Sequence, residues 1–130
     1  MEESHNLLRL LVLTVMLAFS GLSLSSQPPA PEVVSAHGES YVNLQLCANT
    51  WLEYRKHPGL GKQFLDASHE IQAAYTTEEQ LDAFVEAIQA AHDRQGSIEV
   101  RDDESREEFY LRVFSEQRCK QELEAAEAFH

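Results

Sequence analysis

From Tyr41 onward the apolar residues return at steps of three and four, and a chain patterned this way buries them by folding into amphipathic helices. A first helix is predicted over residues 39–57, where Tyr41, Leu44, Ala48, Trp51 and Arg55 mark one face and Cys47 and Leu52 broaden it. Pro58 forces the residue before it out of helical geometry, and Gly59 and Gly61 allow a tight reversal around Leu60. The second helix, over 62–75, carries Phe64, Ala67, Ser68, Ile71 and Tyr75 on one face, with Leu65 beside it. Thr76 to Gln80 then offers two overlapping capping boxes, Thr76 with Glu79 or Thr77 with Gln80. The stripe that follows is Leu81, Phe84, Val85, Ile88 and Ala91, and Gly96 supplies a stop after Arg94.

Residues 97–101 are irregular; Ile98 and Val100 alternate with polar neighbours in a segment too isolated to pair as a strand. Asp102 or Asp103 is placed to cap a long fourth helix reaching about residue 128, with a stripe of Tyr110, Val113, Phe114, Gln117, Leu123, Ala126 and Phe129. Glu108 with Arg112, and Glu116 with Lys120, have the favourable order for pairs one turn apart on a solvated face. The fold class expected is all-α: a small antiparallel four-helix bundle, with the helical domain over residues 39–130.

Ahead of that domain, residues 10–19 read LLVLTVMLAF and are followed by small residues ending in Ser25-Ser26. An apolar block of about 10–15 residues followed by small residues is the pattern of a secretory signal peptide, here residues 1–25. The rival reading, an uncleaved anchor, needs roughly 20 apolar residues to span a bilayer. Gln27-Pro28-Pro29-Ala30-Pro31 and the residues to Gly38 read as a flexible, proline-rich lead-in, residues 26–38. An n-region with two acids and a single base favours a eukaryotic extracellular protein over a bacterial periplasmic one.

The domain holds two cysteines, Cys47 and Cys119, and export into an oxidising compartment predicts that they pair, linking helices one and four. Closing a loop of that length stabilises a fold by about 4 kcal/mol in the chain-entropy view. Sequence leaves open the alternative of an intermolecular bond in a covalent dimer, and so a monomer or a homodimer.

The formal charge is −12, and loss of Glu2, Glu3 and Arg9 with the leader moves it to −11. A surface of that sign repels phosphate backbones and anionic lipid, which disfavours nucleic acid and, once the leader is gone, membrane as partners. A basic protein is the partner expected. The densest carboxylates are Asp102, Asp103, Glu104, Glu107 and Glu108, at the start of the fourth helix.

Signatures of chemistry are sparse. No two of the six histidines stand three or four residues apart, and neither a Cys-x-x-Cys nor a His-Glu-x-x-His pattern occurs. A zinc site would have to be assembled from distant helices, for instance from His69 and His92. His92-Asp93 lacks the glycine-rich calcium loop and dense disulfides of a secreted phospholipase, and the carboxylates of 102–108 lack the ligand spacing and central glycine of an EF-hand. Ser68, Ser97 and Ser105 each begin a loose Ser-x-Glu pattern for phosphorylation in the secretory route. No nucleophile with a recognisable base and no phosphate-cradling loop is found.

The expectation is therefore a small secreted acidic protein acting by protein recognition, as an extracellular ligand or toxin-like factor, with no catalysis and no cofactor. One rival is a periplasmic inhibitor or immunity-type protein that blocks a basic enzyme. Another is a carrier of a small hydrophobic ligand, its cavity lined by Trp51, Phe64, Phe84 and Phe114, although helical burial alone accounts for these aromatics.

Overall fold

The computed structural model describes residues 29–129, and every regular element among them is helical. The predicted signal peptide and the first residues of the lead-in lie outside the described residues. Helix α1 spans Pro31–Asn49 and continues into a π-helical segment, Thr50–Tyr54. It is followed by α2 (Pro58–Ala73), α3 (Glu78–Gly96), α4 (Arg106–Val113) and α5 (Glu116–Glu127). The all-α fold class expected from the sequence is observed, and the four-helix arrangement holds roughly, with the fourth helix delivered in two pieces. None of these helices is long and apolar enough to cross a membrane.

Helix α1 is the hub of the molecule. α2, α3 and α5 all pack on it, α2 also meets α5, and α4 rests on the π segment. Because neighbours stand on several sides of α1, the consecutive residues Val42, Asn43 and Leu44 are all buried. A helix with one wet face would not bury three in a row.

Periodicity starts α1 at Glu39, but the helix begins at Pro31, so residues 31–38 are its first two turns and not part of a flexible lead-in. Proline suits that first position: its fixed φ is already helical, and the missing N–H would have had no partner there. Val34 enters the core, and Gly38 lets α3 approach so closely that a Cβ at 38 would lie 2.6 Å from Ala87 Cβ.

The far end of α1 also departs from expectation. The helix does not run to His57; its last turns widen, with the Arg55 N–H donating to the Thr50 carbonyl at 3.0 Å and the His57 N–H to the Trp51 carbonyl at 2.9 Å. The chain reverses at residues 55–57, where Lys56 takes φ 54°. Pro58 thus opens α2 where it had been expected to close α1, and Gly59 and Gly61 lie in the first turn of α2. Of the two capping boxes ahead of α3, the one that forms is Thr77 with Gln80.

The predicted long fourth helix breaks at Phe114-Ser115. Ser105 caps α4 by accepting from the Glu108 N–H at 3.1 Å, in place of either aspartate, and Ser115 caps α5 by accepting from the Arg118 N–H at 3.2 Å. The break has a packing reason. Phe114 and Cys119 are both buried, and in one unbroken helix side chains five residues apart diverge by about 140°. Restarting the helix at Ser115 rephases the second piece so that both reach the core.

The disulfide forms within the chain: Cys47 of α1 and Cys119 of α5 are bonded, with Cα atoms 5.8 Å apart and both residues fully buried. It ties the last helix to the hub beside Leu44, Ala48 and Trp51 in one continuous apolar core that also takes in Phe64, Ile71, Phe84 and Phe114.

Candidate functional site

The five carboxylates singled out in the sequence do not act as one group. Glu104 turns inward: its oxygens accept from Arg112 Nε at 2.7 Å and Arg112 Nη2 at 2.8 Å, and one also accepts from the Arg101 backbone N–H at 3.1 Å. The Arg112 hydrogen bonds hold this carboxyl down at about 2, and the Arg101 N–H adds to that pull. Arg112 also donates to the Glu99 carbonyl at 3.0 Å. The result is a clamp that shapes residues 99–105, with Asp103 in the left-handed region at φ 61°. The remaining four, Asp102, Asp103, Glu107 and Glu108, are exposed on this turn and on the first turn of α4. The two pairs expected one turn apart are replaced. Arg112 is taken by Glu104, and Glu116 reaches across to Arg55 at 3.3 Å.

A second feature was not foreseen. A cleft of about 630 Å³ opens where the π segment, α2, α4 and α5 converge. Its walls are Trp51, Tyr54, Leu60, Phe64, Leu111 and Leu123. Trp51 and Phe64 meet edge to face, ring centroids 5.1 Å apart, and form the floor. Arg55, His57, Glu116 and Lys120 supply the polar part of the lining. The Arg55 guanidinium lies 4.5 Å from the centre of the Trp51 ring and bridges to Glu116, while its buried Nε has no hydrogen-bond acceptor. His57 Nδ1 accepts from the Leu60 N–H at 3.2 Å as the cap of α2. In the neutral ring that assigns the remaining proton to Nε2, which is then a donor. Wide π turns recur at functional sites, and here the π segment is what brings Trp51, Tyr54 and Arg55 to one opening.

The aromatics expected to line a carrier cavity divide. Trp51 and Phe64 line the cleft, whereas Phe84 is core, stacked on Tyr75 at 4.4 Å. Phe114 borders a separate recess of about 310 Å³ with His92, Gln95 and Tyr110. Leu111 was missed because it falls off the predicted stripe, and Leu60 because a reversal was expected there ahead of a helix beginning at residue 62. An apolar residue outside its helix's own stripe was the signal available.

Other candidates resolve simply. His69 and His92 are exposed on α2 and α3, and no group of three or more potential metal ligands comes together among the described residues. Ser68 is fully buried, donating to the Leu65 carbonyl and accepting from Gln45, so a modifying enzyme cannot reach it in the folded state. Ser105 is occupied as a helix cap. Inside the seam of α1, α3 and α5, buried Asn43 donates to Glu122 at 2.8 Å and accepts from Gln95, a bridge joining three helices. Burial there pushes the Glu122 carboxyl up, against the pull of Asn43.

No protein-family model, curated protein or solved structure matches this chain. Its class is accordingly the one its own geometry defines, a small all-helical domain locked by one internal disulfide.

Proposed function

We propose that this chain is exported and acts outside the cytoplasm by recognising a basic protein, without catalysis. The observation that carries the proposal is the display of Asp102, Asp103, Glu107 and Glu108, four exposed carboxylates on a turn held in shape from below by the Glu104–Arg112 clamp. A preshaped anionic patch on a chain of net charge −12 steers a cationic surface towards it and loses little conformational freedom on contact. The leader pattern and the buried disulfide support export, since such bonds persist in oxidising compartments.

The test uses residues 26–130, which contain every described residue, immobilised and exposed to extracellular fluid from the source. A basic protein is expected to be retained at low salt and released as salt rises. Replacing the four exposed acids together by their amides should abolish its retention. Retention that ignores both salt and the fourfold variant would remove this patch as the recognition surface.

A further inference from the structure

The cleft between the π segment, α2, α4 and α5 has a charge character opposite to that of the molecule. Of its charged residues, Glu116 is already compensated by Arg55. Lys120 makes no hydrogen bond or ion pair among the described residues, and His57 presents an Nε2–H donor. The uncompensated charge at this opening is therefore positive, in a chain whose net charge is −12. Below it, Trp51, Phe64, Leu60, Leu111 and Leu123 offer apolar and aromatic wall, in a volume within the range of about 300–1,000 Å³ typical of small-molecule sites. Apolar walls beneath a cationic lip match an amphiphile with one apolar chain and one anionic head.

We infer that this cleft binds an aliphatic monocarboxylate, its chain packed over Trp51 and Phe64 and its carboxylate taken by Lys120 with the His57 Nε2–H. Arg55 is the positioning residue: it covers the Trp51 ring and neutralises Glu116, which would otherwise repel the head group. The site is independent of the acidic turn, so either can fail without the other.

Trp51 is the only tryptophan of the chain, so its fluorescence places a reporter in the lining of this cleft. Oxidised residues 26–130 would be titrated with octanoate, decanoate and dodecanoate, each kept below its micellar concentration. Saturable one-to-one changes in Trp51 emission are expected, with affinity strengthening about fourfold for each methylene that enters the cleft. Decyltrimethylammonium, with the same chain and the opposite charge, should bind more weakly than decanoate. Lys120→Gln alters an exposed, unpartnered side chain and leaves the fold intact. It should weaken decanoate by about 1.4- to fivefold, the range of an exposed ion pair, while leaving decyltrimethylammonium no weaker. The proposal is overturned by the absence of a saturable response to any of the three carboxylates, or by an affinity indifferent to chain length. Equal binding of the cationic amphiphile would overturn it too. So would a Trp51 response that appears only as protein concentration rises and a doubled mass is seen by ultracentrifugation, which would place a second copy in the cleft.

Discussion

Glu104 and Glu122 show how two like side chains on one acidic protein come to respond to pH in opposite directions. Glu104 is gripped by Arg112, and its carboxyl titrates near 2 instead of the ordinary 4.5. With the folded-state value below the unfolded one, its stabilising contribution is complete above about pH 4.5 and drains away as pH falls towards 2. A Glu104→Gln variant is therefore expected to melt below the parent at pH 7, with the gap in Tm closing as pH approaches 2. A gap that stays constant across that window would show that the clamp's worth does not lie in the Glu104 charge. Glu122 behaves the other way: burial raises its pKa, so its ionised form burdens the fold at neutral pH, and protonating it on mild acidification favours folding. Glu122→Gln keeps an acceptor for Asn43 and should flatten that part of the melting profile.

At the scale of the elements, a close contact joins α1 and α3. Their backbones meet where Gly38 leaves room for Ala87, and a methyl group at 38 would stand 2.6 Å from Ala87 Cβ and 2.8 Å from its carbonyl carbon. Backbone cannot yield as the end of a flexible side chain can. Gly38→Ala improves local helix propensity by up to about 1 kcal/mol, yet forced overpacking typically costs about 1–3 kcal/mol. A net loss of stability is expected, seen as a lower urea midpoint. Pairing it with Ala87→Gly should recover part of the loss beyond additivity, since the two positions share one contact. The two capping serines work at the same scale: Ser105 starts α4, and Ser115 restarts the chain as α5 where one unbroken helix was expected.

For the molecule as a whole, the disulfide is the covalent constraint between distant parts of the chain. It joins residues 72 apart in sequence, across the seam between the hub and the last helix. Restricting the unfolded chain over such a loop stabilises a fold by about 4 kcal/mol, against totals of about 5–15 kcal/mol for domains in general. The Cys47→Ala/Cys119→Ala variant should lose about that amount in denaturant titration at pH 7. A loss below about 1 kcal/mol would mean that packing around α1 already holds α5 in place without the bond.

The amino-acid pattern alone was enough for the helical class and for most of the buried face, and it made a Cys47–Cys119 bond the expected pairing while leaving an intermolecular one open. Leu44, Ala48, Trp51, Phe64, Ile71, Phe84 and Phe114 all reach the core. These features are local or binary: they depend on spacing along one helix, on a threonine followed three residues later by a glutamine, and on there being just two thiols. Tertiary structure decided what depends on neighbours distant in the chain. Residues 31–38 became helix because α3 lies against Gly38, the fourth helix broke because Phe114 and Cys119 both had to meet the hub, and Arg112 turned to Glu104. The cleft is the extreme case. Its residues come from four separate elements, each contributing a side chain or two that its own stripe does not explain. Only their convergence creates a surface with a chemistry of its own.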